Sequence, residues 1–233
     1  MRRVFLAGAA CVAMVLSGCA GGGDGNDSNL ISSVGSTLFT TVQQGRQARN
    51  TGPALRIDIT RELLDETPGE VLEVVPENRG LQDFLALQDR RRDDNPGVIE
   101  SWRSSDNGVI TTRNGVVIST RGFGGGLKSS DVATIIAGFD GLGGGGQRRM
   151  EIARADGIAE TVIFSCDVTQ LGREVIQIVD QRVSTHRLRE DCVSGGVKIS
   201  NEYWAETHSG RLRKSRQWVS PTFGYAAITR LKN

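Results

Sequence analysis

The sequence predicts a mainly β protein, in which one large, strongly curved antiparallel sheet forms a half-barrel or a sandwich-like fold with two or three short helices. Two Asn-Gly pairs, at 107–108 and 114–115, separate short runs in which apolar and polar residues alternate. Asn-Gly favours the positive φ angles of a type I′ turn, whose twist matches that of paired strands. We therefore expect three consecutive antiparallel strands, at 98–105, 109–113 and 116–121.

Further strand-like runs continue to the C-terminus. One lies before these strands at 70–76, and another at 81–87 fits either a strand or a short helix. The later runs are at 149–155, 158–167, 174–180, 184–191, 197–205, 212–219 and 225–231. An antiparallel sheet of roughly ten strands must curl or fold over on itself. A half-barrel wrapped round two helices would bury its apolar face, and a closed barrel or a two-sheet sandwich would do so too.

Two segments have the apolar spacing of helices. Residues 29–44 follow a candidate N-cap at Ser28, and they predict an amphipathic helix that packs on the sheet or docks on a partner. Residues 131–139 predict a second helix, with Ser129 or Ser130 as its cap. Residues 57–64 begin with a strand-like pattern, and the end of this segment fits a helical turn.

Three polar or glycine-rich segments predict loops. Residues 90–97 mix both charge signs and predict a solvated loop, and 141–146 predict a flexible one. Residues 121–126 carry four glycines before the second helix. This segment lacks the Gly-Lys-Ser/Thr ending of a phosphate-binding loop, so a mobile loop is the better interpretation.

The N-terminus resembles the signal peptide of a bacterial lipoprotein. Arg2 and Arg3 precede an apolar stretch at 4–16, which ends in Leu-Ser-Gly before Cys19. This order predicts a signal peptide at 1–18 and a lipidated Cys19. A flexible tether follows at 19–28, and a single β-rich periplasmic domain at 29–233. Ala20 stands where an inner-membrane retention signal has Asp, which favours an outer-membrane anchor facing the periplasm.

Charge excludes one class of function. The chain has 28 Lys and Arg residues against 27 Asp and Glu residues. A nucleic-acid-binding domain normally shows a strong basic excess, so we expect no nucleic-acid partner.

The cysteines predict one disulfide. Cys11 leaves with the signal peptide and Cys19 carries the lipid, so Cys166 and Cys192 remain as a pair in an oxidising compartment. We expect them near the ends of two strands with two others between them, in a disulfide that contributes about 3 kcal/mol. The alternatives are a metal site, for which His186 is the single further soft ligand, and a redox pair, which normally has Cys-x-x-Cys spacing.

No catalytic constellation stands out in the sequence. His186 and His208 are the two histidines, and no Gly-x-Ser-x-Gly motif accompanies them. Asp93 and Asp94 are adjacent in a polar segment, which is typical of solvated carboxylates. We therefore predict that the protein is not an enzyme and needs neither cofactor nor metal.

The tryptophans and one basic strand each allow two interpretations, a structural role or a binding role. Trp102, Trp204 and Trp218 either fill the core or stack on sugar rings. A basic strand follows Gly210, and it forms either a solvated sheet face or a contact with an anionic polymer. Its charged residues are Arg211, Arg213, Lys214 and Arg216.

Two signatures resemble the YjbF/GfcB family of bacterial lipoproteins. The first runs from Trp102-x-Ser104 through Asn107-Gly108 and Arg113-x-Gly115 to Thr120-Arg121-Gly122-Phe123 and Leu127. The second contains Tyr203-Trp204, Gly210 and the run Arg213-Lys214-Ser215-Arg216-Gln217-Trp218-Val219-Ser220-Pro221.

The resemblance implies a mostly antiparallel β-fold and an outer-membrane lipoprotein that assists the production or export of extracellular polysaccharide, including group 4 capsule. It implies polysaccharide or secretion proteins as partners and brings no catalytic residues. Possible contact residues are Trp102, Arg121, Trp204, Arg213, Ser215, Gln217 and Trp218. A periplasmic glycan-modifying enzyme, or a lipid or lipoprotein carrier with an apolar concavity, are the alternative functions.

Overall fold

A computed structural model describes residues 57–78, 82–123, 126–139, 144–154 and 157–232. The predicted helix at 29–44, the tether and Cys19 lie outside these ranges. The described residues form one twelve-stranded antiparallel sheet and two short helices. No helix among them is both long and apolar enough to cross a bilayer.

Helix α1 is Arg61–Glu66 and helix α2 is Ala133–Ala137. The first six strands are β1 Val71–Pro76, β2 Asp83–Arg91, β3 Ile99–Ser104, β4 Val109–Arg113, β5 Val116–Arg121 and β6 Leu127–Ser130. The last six are β7 Gly144–Ala153, β8 Ala159–Ile178, β9 Gln181–Ser194, β10 Val197–Glu206, β11 Leu212–Ser220 and β12 Gly224–Lys232.

The sheet consists of two meanders joined through β1 and β12. Its strand order is β5-β4-β3-β2-β1-β12-β11-β10-β9-β8-β7-β6, so every other pairing is between neighbours in the chain. The sheet curls until its end strands β5 and β6 lie together, where the Leu127 backbone N–H donates to Thr120 Oγ1 at 3.1 Å. This nearly closed, barrel-shaped sheet confirms the predicted strongly curved antiparallel fold.

The Asn114-Gly115 turn forms as predicted, with a positive φ at both residues, whereas at 107–108 only Asn107 has a positive φ and residues 105–108 link β3 to β4. Asn107 and Asn114 have φ angles of 65° and 48°, and Gly115 has 86°. Strands β4 and β5 have the predicted bounds, and β3 is one residue shorter at each end. Local turn chemistry therefore determined these strands, because Asn and Gly adopt positive φ at low cost.

Side chains fill the interior of the curled sheet. Trp102, Leu85 and Phe164 belong to one core cluster and are buried with 1% exposure or less. Gln217 of β11 reaches across to β5, where its Oε1 accepts from the Val117 backbone N–H at 2.9 Å and its Nε2 donates to the Gly115 carbonyl at 3.1 Å. The described interior is thus a packed core, which disfavours the carrier alternative with its apolar concavity.

Strand β8 corrects two predictions. The runs at 158–167 and 174–180 are one twenty-residue strand, interrupted by a register shift between Gln170 and Gly172. Gly172 has a φ of 99° and lies at this irregularity within the strand. Consequently Cys166 and Cys192 lie directly opposite each other on the adjacent strands β8 and β9, with no strand between them.

The region before β8 was also mispredicted. Strand β7 begins at Gly144, inside the predicted flexible loop, and the predicted cap residues Ser129 and Ser130 belong to β6. Helix α2 is shorter than predicted and starts after Val132, with Asp131 Oδ1 accepting from the Ala133 backbone N–H at 3.0 Å. A short polar strand such as β6 has no apolar alternation to reveal it.

The structure also decides how the segments at 81–87 and 57–64 fold. The run at 81–87 is a strand, and β2 extends through Arg91 into the predicted solvated loop. The predicted helical turn exists as α1, where Thr60 Oγ1 accepts from the Leu63 backbone N–H at 3.3 Å. Lys232 of β12 holds the end of this helix, because its Nζ donates to the carbonyls of Leu64 and Thr67.

Candidate functional site

An open cleft of about 420 Å³ lies where β2, β3 and β12 meet the loop between β10 and β11. We call it the arginine cleft. Its charged lining residues are Arg90, Arg92, Glu100, Arg211 and Arg230. Val98, Asn114, Ser209, Gly210 and Leu212 complete the lining.

Two tight turns shape the walls of the arginine cleft. On one side, the Asn114 backbone N–H donates to the Val98 carbonyl at 2.9 Å, and Asn114 Oδ1 accepts from the Val98 backbone N–H at 2.8 Å. On the other side, Gly210 has a φ of 66° and its N–H donates to the Glu206 carbonyl at 2.8 Å, which places Arg211 at the rim. The second Asn-Gly turn therefore fixes part of this site.

A network of two arginines and two glutamates forms the floor of the cleft. Arg90 Nη2 lies 2.6 Å from Glu70 Oε1 and 2.7 Å from Glu100 Oε1. Arg230, 3% exposed, donates to the second oxygen of each glutamate. Its guanidinium also lies 4.7 Å from the ring centroid of Trp102. The hydrogen bonds that Arg90 donates to Glu70 and Glu100 raise the pKa of Arg90, and the charges of this network balance.

Arg92 and Arg211 add positive charge without a counterion. Both side chains are exposed, and within the described ranges neither makes an ion pair or a hydrogen bond. Because the floor network is neutral, these two arginines give the cleft an excess of two positive charges.

Arg213 lies near Arg230 and Arg211 beside the cleft, and its charge is paired with that of Glu206. Burial, and then the nearby charges of Arg230 and Arg211, lower the pKa of Arg213, while Glu206 opposes this effect. Arg213 Nη1 lies 3.3 Å from Glu206 Oε1, and Arg213 Nε has no hydrogen-bond partner among the described residues. The side chain stays charged, since an arginine guanidinium is effectively always protonated.

The tryptophans lie apart from one another. Trp102 is completely buried, and its Nε1 donates to Thr112 Oγ1 at 3.3 Å, so stacking on a sugar is wrong for this residue. Trp204 is 8% exposed and lies beneath the cationic groups of Arg187 and Lys214. Trp218 is half-buried, edge-on to Phe164. The core alternative therefore holds for Trp102 and Trp204.

The other predicted contact residues divide into structural and accessible ones. Ser215 and Gln217 are buried and hydrogen-bond to each other at 2.8 Å, so they are not available to a ligand. Arg121 is exposed at the end of β5, outside the lining of the arginine cleft. Arg213 is the predicted contact residue that adjoins the cleft without being exposed.

The first signature packs on itself. Ser104 Oγ accepts from the Gly108 backbone N–H at 3.0 Å, and a Cβ on Gly108 would lie 2.7 Å from the Phe123 ring. Gly122, with a φ of 84°, lies against Gly108 as well. These residues therefore secure the turn between β3 and β4, and their role in this structure is architectural.

The residues considered for catalysis do not form an acid–base pair. Asp93 makes two hydrogen bonds with Arg113, at 2.8 and 2.6 Å, and this contact holds the pKa of Asp93 well below its usual range. His186 lies on β9 and His208 is exposed in the turn after β10. Neither imidazole hydrogen-bonds to another residue of the described ranges.

A buried polar cluster lies next to the disulfide, and no motif in the sequence predicted it. Arg148 of β7 lies 2.7 Å from Glu190 of β9, with both side chains at most 2% exposed. Asn201 Nδ2 and Tyr203 Oη each donate to the same glutamate oxygen at 2.8 Å. Burial, and then the charge of Glu190, raise the pKa of Tyr203 well above its ordinary value, so the phenol stays protonated as a donor.

The predicted disulfide is present. Cys166 and Cys192 are bonded and close a loop with a sequence separation of 26. Glu190 lies close enough for the three residues to have the spacing of a metal site. Both sulfurs are already bonded to each other, however, and a thiolate is the ligand that a metal requires. The group is therefore structural.

A second opening, of about 530 Å³, lies beside α2. Its lining includes Arg113, Asp131, Ser130 and the apolar residues Val132 and Ile136. Arg113 is already paired with Asp93, so this groove lacks the uncompensated positive charge of the arginine cleft.

Comparisons with known proteins agree with the fold and the signatures. Residues 37–231 match the family described as group 4 capsule polysaccharide lipoprotein gfcB, YjbF. A search of curated protein sequences found no match. The fold is similar to that of the hypothetical lipoprotein YmcC from Escherichia coli K12, with a TM-score of 0.62 and 19% identity over 82% of this chain and 95% of that chain. Because the family match covers most of the sequence, the chain belongs to the YjbF/GfcB family of group 4 capsule polysaccharide lipoproteins.

Proposed function

We propose that this protein is a non-enzymatic accessory factor in the production or export of extracellular or capsular polysaccharide. In this role it is held at the outer membrane by a lipid on Cys19 and faces the periplasm. The observation that carries the proposal is the family match over residues 37–231, which is a match to capsule polysaccharide lipoproteins. The lipobox-like sequence before Cys19 supports the anchor.

Several contacts support a binding role rather than catalysis. General acid–base chemistry needs a titrating group with an unblocked proton site and a pKa near the working pH. Asp93 is held by Arg113 with a lowered pKa, and Glu100 is held by Arg90 and Arg230 in the floor of the arginine cleft. These carboxylates serve ion pairs, which suits a rigid contact surface.

Deletion of the gene in the native bacterium tests the proposal. The amount of secreted polysaccharide should fall and should return when the full chain is expressed again. A Cys19→Ala chain should leave the membrane fraction and restore less polysaccharide. Normal polysaccharide in the deletion strain, together with unchanged recovery of the secretion proteins in pull-downs, would contradict the accessory role.

A further inference from the structure

We propose that the arginine cleft binds the carboxylate groups of an acidic polysaccharide. This inference rests on the proposed function, which supplies the polysaccharide, and it names the chemical class and the site. Its starting point is the excess of two positive charges at Arg92 and Arg211, above a floor whose own charges are paired.

The two unpaired arginines suit a carboxylate. A guanidinium presents a planar fork of N–H donors that matches the two oxygens of a carboxylate. Arg92 and Arg211 are exposed at the rim, so a ligand reaches them without breaking an existing ion pair. The volume of about 420 Å³ falls within the range of about 300–1,000 Å³ that is typical of small-ligand sites.

The cleft also offers neutral groups for sugar hydroxyls. Asn114 uses its side-chain oxygen to hold Val98, which leaves its amide N–H groups without a described partner. Ser209 and the backbone at Gly210 line the same opening. Such groups orient a hydroxyl-rich ligand, while the charged residues select a ligand of negative charge.

The floor of the arginine cleft favours a ligand whose negative charges lie on separate groups. Glu100 lines the cleft, and its negative charge lies next to Arg90 and Arg230. Because Glu100 already holds Arg90 and Arg230, a compact anion such as phosphate finds no unpaired guanidinium in the floor. Sugar acids along a polymer carry separate carboxylates, so one carboxylate can pair with each of the two unpaired arginines at the rim.

Calorimetric titration of the full-length lipoprotein in detergent tests the inference. The probe is a short oligogalacturonate, and its control is the same oligomer after chemical reduction of the carboxyl groups to alcohols. We expect binding of the acidic oligomer that weakens with added salt. The reduced oligomer and an equal concentration of inorganic phosphate should bind at least tenfold more weakly.

Two double variants with the same change in net charge locate the site. R92Q/R211Q should weaken binding of oligogalacturonate at least tenfold, without a change in thermal unfolding, because both side chains are exposed and unpaired. R173Q/R182Q, which alters two exposed arginines on β8 and β9, should change the affinity less than twofold.

Four results would overturn the inference: no binding of the acidic oligomer, equal affinity for the reduced oligomer, equal or tighter binding of phosphate, or equal losses in the two double variants. Failure here is separable from failure of the proposed function. If deletion lowers secreted polysaccharide but the purified protein binds no oligogalacturonate, the inference alone is wrong. If the protein binds the oligomer but deletion leaves secretion normal, the accessory role is wrong.

Discussion

At the scale of single residues, ion pairs have different consequences according to their burial. Arg148 and Glu190 are hidden from solvent, so each compensates the buried charge of the other. Arg113 and Asp93 form a pair at the surface, where water already solvates the carboxylate. Breaking a buried pair leaves an uncompensated charge, whereas breaking an exposed pair mainly changes a pKa.

Replacing Arg113 with Gln should raise the pKa of Asp93 toward its ordinary value near 4. The Arg113 hydrogen bond is the main cause of the lowered pKa, followed by the Asn95 backbone N–H. A lowered folded pKa means that the pair contributes stability above the unfolded pKa and loses that contribution as the pH falls through the folded value. NMR titration of the Asp93 carboxyl carbon checks this.

The Arg61→Gln variant serves as a control for this titration. Arg61 lowers the pKa of Asp180 in the same way, so Arg61→Gln should raise the pKa of Asp180 and leave Asp93 unchanged. An Asp93 pKa that stays low in Arg113→Gln would show that the hydrogen bond is not the cause.

Arg148→Met should lower the free energy of unfolding by about 3–5 kcal/mol, because it leaves Glu190 charged and buried. Arg149→Met is the matched control on the same strand. Arg149 is 59% exposed and lies 3.6 Å from Glu151, so its loss should cost at most about 1 kcal/mol. Urea unfolding measures both, and similar costs for the two variants would refute a structural role for the buried pair.

At the scale of elements, strands set by local backbone preferences were predicted more accurately than strands set by pairing with distant residues. The strands around the Asn-Gly turns were predicted well because φ preference is local. Strand β8 was divided in two around residues 168–173, whereas pairing with β9 carries the strand through this stretch. Strand β6 was missed because four mostly polar residues are held in the sheet by partners distant in sequence.

The Asn114-Gly115 turn provides a test at this scale. Gly115→Ala should cost more stability than Gly196→Ala, although both glycines have nearly the same positive φ, 86° and 84°. Strain from φ costs each variant about 1 kcal/mol or more. In Gly115→Ala the new Cβ would also lie 2.7 Å from Leu212 Cβ, whereas no atom lies within 4 Å at Gly196.

The additional overpacking cost at Gly115 should be about 1–3 kcal/mol, measured by thermal or urea unfolding. Equal destabilisation of the two alanine variants would mean that the turn does not pack against β11 as described. Since Leu212 and Asn114 line the arginine cleft, Gly115→Ala should also disturb that site.

At the scale of the whole molecule, curvature builds the site from distant parts of the chain. Arg90 belongs to the first meander and Arg230 to the last strand, and they meet at Glu70 and Glu100 because β1 pairs with both β2 and β12. The sequence placed Arg92 in a solvated loop and Arg211 on a basic strand, but no local pattern relates the two. Only the closed topology assigns them to one cleft.

The overall composition also gives no indication of the excess positive charge in the arginine cleft. The chain has 28 basic and 27 acidic residues, and that near balance gives no sign of a local excess. Most of the described arginines are neutralised by glutamate or aspartate, as at Arg113, Arg148 and Arg216. Conversely, the signature residues Trp102, Ser215 and Gln217 pack the interior, so a family motif identified the fold better than it identified the contact surface.

The most direct test of this account is the amount of secreted polysaccharide in cells whose deleted gene is replaced by one of the two double variants. At equal membrane levels of lipoprotein, R92Q/R211Q should lower secretion toward that of the deletion strain, and R173Q/R182Q should restore normal secretion. Normal secretion with R92Q/R211Q, or the same loss with both variants, would contradict the claim that the arginine cleft carries the function.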